Sequence, residues 1–244
     1  MKKIAIFVEG QTELIFVRDL LLKVMPNDKI GIRCIELLSS GVSKSVPWSH
    51  NDNDRVDILF QIMDVGGDKK VFAAIKNRGE NLINNGFNNI LGLRDMYSEE
   101  YNILTSRMDK KSAIEEMLLT NKNNIATLKY KKKVKIFFAV MEIESWFLGL
   151  YNFFEKINKK LTVDHIKTKF GLDLENIDAE KQCNKPANEV KRILASVGVN
   201  YNKDRDICNK IVGNITKEDY IDLAGRGKVD SYGYFYKEII NYIP

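Results

Sequence analysis

The chain of 244 residues contains only three cysteines and two histidines. Cys34, Cys183 and Cys208 are far apart, odd in number and without CxxC spacing, which argues against a disulfide framework or a zinc knuckle and for a reducing compartment. His50 and His165 are too few and too badly placed for a histidine metal site, and without a GxSxG elbow a Ser-His-Asp triad has no support. No apolar run approaches the roughly 20 residues of a membrane span. The run that follows Met1-Lys2-Lys3, Ile4 to Val8, stops at Glu9 and is too short for the apolar core of a signal peptide. The expectation is a cytoplasmic protein without a membrane partner. Internal repeats are missing, as are GxGxxG and P-loop spacings.

What is present is ordinary for a globular chain: 44% hydrophobic and 29% charged residues. The length suits one large α/β domain, or one domain of roughly 150 residues with an extension. Lysine and arginine outnumber the acids 38 to 33, a net charge of +5, which permits a polyanionic partner without requiring one. The densest basic run, Lys129 with Lys131 to Lys133, reads as a solvated turn ahead of a strand rather than a nucleic-acid contact.

Lys3 to Val8 is a continuous run of β-formers, then comes Glu9-Gly10-Gln11-Thr12-Glu13, then Leu14, Phe16, Val17, Leu20, Leu21 and Val24 at helical spacing. That order predicts a buried strand, a tight turn and an amphipathic helix ending before Pro26. Ile30 to Leu38 and Val56 to Val65 read as further strands, paired with each other, around a long loop over 39–54. Gly66-Gly67-Asp68 is expected to form a tight turn into a helix through Asn84, with Val71, Ile75, Leu82 and Ile83 inward; a phosphate cradle is the weaker reading. Ile90 to Leu93 is a short strand, Lys111 to Leu119 a helix, and Val134 to Met141 the most strand-like run, opening a helix at Glu142-Ile143-Glu144-Ser145-Trp146. Trp146 and Phe147 read as core. Alternation of strands and helices predicts an α/β fold with a largely parallel sheet covered by helices. Residues 1–157 are expected to form its domain and 158–244 a helical extension or cap, ending in an aromatic-packed helix over Tyr232 to Ile243.

In open α/β sheets, chemistry gathers at the carboxyl ends of the strands. Three such ends carry acid: Glu9, Asp95, and Glu142 with Glu144. Carboxylates brought together from different strands repel one another unless a cation sits among them, and hard oxygen ligands suit Mg²⁺ or Mn²⁺. Each also has a plainer role. Glu9 and Glu13 favour the positive end of the following helix, and Glu142 and Glu144 are first-turn helix acids. Asp95 suits a turn or cap.

Val8-Glu9-Gly10-Gln11-Thr12-Glu13 with Phe16 resembles the opening strand and helix of a Toprim domain, the module of topoisomerases, primases and nucleases. The segments Asn89-Ile90-Leu91-Gly92-Leu93-Arg94-Asp95-Met96-Tyr97 and Ala139-Val140-Met141-Glu142-Ile143-Glu144-Ser145-Trp146-Phe147-Leu148 resemble the "LRDxY" and "EIEAW" segments of Toprim-like proteins from phage-defence loci. Those include the nuclease subunits of PARIS and AbiL-type abortive-infection systems, and Asp64-Val65-Gly66-Gly67-Asp68 is similar to a turn of the PARIS group. The resemblance covers residues 1–157, and beyond them only Lys185-Pro186 and Tyr201-Asn202-Lys203. It implies a Toprim-like, Rossmann-like sheet, with Glu9 as metal ligand or general acid/base and Asp95 as first acid of a DxD motif. Tyr97 stands where that motif has its second acid, so Glu142 and Glu144 are the implied replacements, and Lys203, less surely Lys185, the implied cation for the scissile phosphate.

The resemblance and the acid layout together imply a Mg²⁺- or Mn²⁺-dependent endonuclease hydrolysing phosphodiester bonds of tRNA or DNA. Its implied role is that of toxic effector in an anti-phage system, held by an ABC- or AAA-type ATPase encoded nearby. Related nucleases often work as dimers, which makes a homodimer one of the implied states. The rival readings are a catalytically silent Toprim-like module that docks the ATPase or a nucleotide, favoured by Tyr97, and a nucleotidyl-transfer enzyme using the same acids.

Overall fold

The computed structural model describes residues 1–38, 42–53, 55–67, 70–202 and 204–243. The fold is α/β: a six-stranded, mostly parallel sheet flanked by helices, with a helical C-terminal region. By contact the chain divides into two compact units, Met1–Leu14 with Pro26–Phe138, and Ile15–Met25 with Ala139–Ile243.

The first unit holds the sheet. Its strands are β1 (Lys2–Val8), β2 (Ile30–Leu37), β3 (Ser43–Ser45), β4 (Ile58–Asp64), β5 (Asn89–Asp95) and β6 (Val134–Ala139), in the order β3-β2-β4-β1-β5-β6. β1 is central and parallel to both neighbours, with Val8 beside Asp64 of β4 and Leu93 of β5. β2 pairs with β4 in parallel, as expected, and the short polar β3 closes the edge of β2 antiparallel. β1 is buried from Ile4 to Val8, as a strand covered on both faces must be.

α1 (Gln11–Val24) follows β1 and passes from the first unit into the second. α2 (Lys70–Asn84) joins β4 to β5, and α3 (Glu99–Thr105) and α4 (Lys110–Ala126) join β5 to β6. Val71 and Ile75 of α2 pack with Ala5, Phe7, Ile90 and Val134, while Leu82 and Ile83 are partly buried against the same core. α2 carries Gly79 on this buried side because Tyr130 occupies the space: an added Cβ would stand 2.4 Å from the Tyr130 ring. The Tyr130 hydroxyl donates to the Ile75 carbonyl at 2.8 Å. Lys131 to Lys133 form an exposed 3₁₀ turn before β6, the solvated turn the sequence suggested.

The second unit contains, after β6, α5 (Glu144–Gly149), α6 (Phe153–Ile157), α7 (Val163–Phe170), α8 (Ala179–Gln182), α9 (Pro186–Ala195), α10 (Arg205–Val212), α11 (Lys217–Gly225) and α12 (Asp230–Ile240). Trp146 and Phe147 are core, as read from the sequence; Phe16 packs its ring 5.4 Å from Trp146 and 5.4 Å edge-on to Tyr220. Tyr232 and Phe235 of α12 pack against Trp146. Several polar groups inside this core are paired. The Tyr220 hydroxyl donates to Asp19 Oδ2 at 2.9 Å. The Trp146 indole N–H donates to Ser231 Oγ at 2.8 Å. Ser231 in turn donates its hydroxyl and, at 3.2 Å, its backbone N–H to Glu180 Oε1. No described helix is long and apolar enough to cross a membrane.

Candidate active site

Parallel pairing in register brings the exits of β4, β1 and β5 side by side, and each exit carries an acid: Asp64, Glu9 and Asp95. The chain leaves β1 toward β2 on one side and leaves β5 toward β6 on the other. That divergence makes β1/β5 a topological switch point, where open α/β sheets bind ligands.

Backbone bonds fix the three exits to one another. Glu9 Oε2 accepts the Asp95 amide at 2.9 Å, joining two of the sequence-predicted acids directly. The Glu9 carbonyl accepts the Gly67 amide at 2.8 Å, and the Val8 carbonyl the Val65 amide at 3.0 Å. Asp64 Oδ1 accepts the Gly66 amide at 2.8 Å, an Asx-type turn. Gly66 and Gly67 follow with φ of 68° and 146°, conformations that favour glycine. The tight-turn reading of this pair holds; Asp68 lies outside the described residues.

Asp64 and Asp95 are buried, and so are Thr12 and Glu13 in the first turn of α1. Glu13 folds back toward the strand exit: a Cβ added at Gly10 would lie 3.2 Å from Glu13 Oε2. Asp64 is the site residue that sequence reasoning passed over. Its signal was an acid at the last position of the buried strand Ile-Leu-Phe-Gln-Ile-Met-Asp, which the reading extended to Val65 and noted only as the start of the Asp64-to-Asp68 turn, without assigning Asp64 to the site. Among the described residues no group of three or more His, Cys, Asp or Glu side chains is arranged to hold a metal ion. Tyr97, in the place of a second DxD acid, is half-buried with its ring 6.1 Å from that of Tyr101.

Glu142 and Glu144 belong to the second unit, and each meets a partner there. The backbone between β6 and α5 turns at Met141, whose φ is 66°. Glu142 Oε2 accepts the Ala187 amide at 2.9 Å, in the first turn of α9, where a carboxylate satisfies an orphan N–H and faces the positive helix end. Glu144 is fully buried and accepts the Tyr201 hydroxyl at 2.7 Å. Lys185 is exposed just before α9. Lys203 lies outside the described residues. His50 is half-buried and bridged antiparallel to Ile32 of β2, with its ring 3.1 Å from the Asn51 side-chain amide, and His165 takes its place in the first turn of α7.

Compared with known proteins, the chain matches no family model, no curated protein and no solved structure.

Proposed function

We propose that the chain is a Toprim-like, metal-dependent nuclease hydrolysing phosphodiester bonds of nucleic acid. One observation carries the reading: Glu9 and Asp95 stand at adjacent strand exits across the β1/β5 switch point, with Glu9 Oε2 2.9 Å from the Asp95 amide. Their hard oxygen donors fit Mg²⁺ or Mn²⁺ held in the manner common for Mg²⁺, through one or two carboxylates completed by water and substrate phosphate. Bound there, such an ion supplies a more acidic water and charge stabilisation for the leaving oxygen. Glu9, oriented by the Asp95 amide, is the side chain placed to take the proton from the attacking water, and Asp95 to help hold the cation. The basic excess of the chain, +5 overall, favours salt-sensitive binding to a phosphate backbone over base readout. The wider role, a cytoplasmic toxic effector of an anti-phage system controlled by an ATPase partner, with host tRNA or DNA as target, extends the same proposal by resemblance.

A second reading, a catalytically silent module that docks an ATPase or a nucleotide, draws on Tyr97, an aromatic packed toward Tyr101 where a second acid is expected. The two readings part on one experiment. Plasmid DNA, total RNA and tRNA are incubated with the purified chain and Mg²⁺ or Mn²⁺, with EDTA and a Glu9→Gln variant as controls. Glutamine retains an acceptor for the Asp95 amide but cannot take a proton, so cleavage should fall by about 10²-fold or more while the fold persists. Glu142→Ala and Glu144→Ala report separately on the acids of the second unit. Cleavage unchanged by Glu9→Gln refutes the assignment, and no cleavage with or without an ATPase favours the binding module.

A further inference from the structure

Arg94 is a cation without a counter-charge. It stands one step past the pair formed by Val8 of β1 and Leu93 of β5, and so level with Glu9. It lies on the face of the sheet that α2 covers: a Cβ added at Gly92 would meet Ile75 and Val71 at 3.1 Å and Ile136 of β6 at 3.0 Å, and residues two apart on a strand share a face. Arg94 is half-buried, and its Nε is buried with no hydrogen-bond partner. Among the described residues the only polar or ring partner of its charged head is Phe138 of β6, with the guanidinium carbon 5.2 Å from the ring centroid.

A buried donor without an acceptor is costly, and arginine, charged at any ordinary pH, cannot escape that cost by losing its proton. Glu9 stands level with it, yet the two make no ion pair. Glu9 turns Oε2 to the Asp95 amide, while the Arg94 head leans the other way, toward β6. The acceptor that this donor lacks within the described chain is supplied by an anion from outside it. A planar guanidinium donates in parallel to two oxygens, which is what a phosphate offers, and the Phe138 face holds the head by cation–π attraction while its N–H groups stay free to donate. We propose that Arg94 binds a backbone phosphate of the nucleic-acid substrate, next to the phosphodiester attacked at Glu9 and Asp95. The substrate so named rests on the nuclease reading. Because the head lies away from Glu9, Arg94 strengthens binding and leaves the chemical step to the acids.

The test measures binding apart from cleavage. The full chain is titrated into a short fluorescein-labelled single strand, DNA and RNA in separate series, in EDTA at several salt concentrations, and anisotropy gives Kd. Arg94→Gln should weaken binding about tenfold and lower the slope of log Kd against log salt by about 0.7, the share of one phosphate contact on a single strand. Arg94→Lys keeps the charge but not the fork, so it should restore the slope and only part of the affinity. Lys132→Gln removes one charge from the solvated turn and should change neither. With Mg²⁺ present, Arg94→Gln should raise KM about tenfold and leave kcat within about twofold. The buried Nε has no hydrogen bond to lose, so the melting temperature of Arg94→Gln should stay within a few degrees of wild type. Binding and salt slope unchanged by Arg94→Gln, or changed as much by Lys132→Gln, overturn the proposal and leave the nuclease reading standing. A chain that binds with these Arg94 effects but never cleaves keeps the phosphate site and removes the nuclease reading. A chain that neither binds nor cleaves overturns both.

Discussion

Raising the pH from about 5 to about 8 should destabilise the protein through one buried side chain, Glu180, and replacing that residue by glutamine should remove the loss. Glu180 sits in α8 only 9% exposed, with Ser231 as its hydrogen-bond partner. Burial raises its carboxyl from 4.5 to about 7; the Ser231 bonds oppose that rise, and Asp178 and Asp230 add to it. In the unfolded chain the proton is lost near 4.5, whereas in the folded chain it is held until about 7. The stabilisation is therefore complete below 4.5 and disappears as the pH rises through about 7. At about 1.4 kcal/mol for each pH unit of difference, the full loss is roughly 3 kcal/mol, a large part of a typical domain's stability. Glu180→Gln keeps an oxygen for Ser231 and carries no charge. Urea unfolding at a series of pH values, followed by the fluorescence of the buried Trp146 beside Ser231, gives the assay. The variant should match wild type within about 1 kcal/mol near pH 5 and exceed it by roughly 3 kcal/mol near pH 8. Asp19, also raised by burial, contributes a slope of the same sign to both proteins and cancels in the difference. Parallel pH profiles for the two proteins would refute the reasoning.

Alanine for glycine inside a helix normally stabilises by about 1 kcal/mol, but Gly79→Ala drives its Cβ into the Tyr130 ring and should cost about 2 kcal/mol. In a Tyr130→Ala background the same change should turn stabilising, and denaturant titration of the four proteins reads the reversal. The Cys183 thiol is pushed up to about 11, first by burial and then by Glu189; a thiol reagent at pH ~8 should label it far more slowly in the folded protein than in urea. Asp64→Asn preserves an acceptor for the Gly66 amide and should leave the melting temperature nearly unchanged, whereas Asp64→Ala should cost about 1 kcal/mol by losing the turn. Equal effects of the two substitutions would show that charge, and not the turn, is what Asp64 contributes to stability.

The parts of the fold legible in the sequence are those that bury apolar residues at a fixed period. Ile4 to Val8 and Ile58 to Met63 are runs that only a strand covered on both sides tolerates, and α1 repeats its apolar residues every third or fourth position. β3 escaped notice because its residues, Ser43 to Ser45, are polar and exposed, and hydrogen bonding to β2 alone makes them a strand. α3 escaped because it is short; the Ser98 hydroxyl that accepts the Tyr101 amide marks its start. At the candidate site, Glu9 and Asp95 were legible because each directly follows or ends an apolar run. Asp64 ends an apolar run just as Asp95 does, but the reading carried that strand on to Val65 and so past the acid; its place beside Val8 is set by register, a tertiary property that a linear reading does not contain. The partners of Glu142 and Glu144, the Ala187 amide and the Tyr201 hydroxyl, are equally remote in sequence.

The central place of β1 also has a consequence for how the chain is made. β1 pairs through Lys2 with Ile58 and through Ile4 with Asn89, so both of its neighbours are synthesised well after it. Until they arrive, Ile4 to Val8 is an apolar segment with two open edges, the kind that joins other chains when left waiting. Closing such long loops before any pairing repays the entropy slows folding. The heart of the sheet is therefore its earliest segment and among its last to be secured, and slower elongation through residues 9–95 lengthens the interval in which that segment stays unpaired.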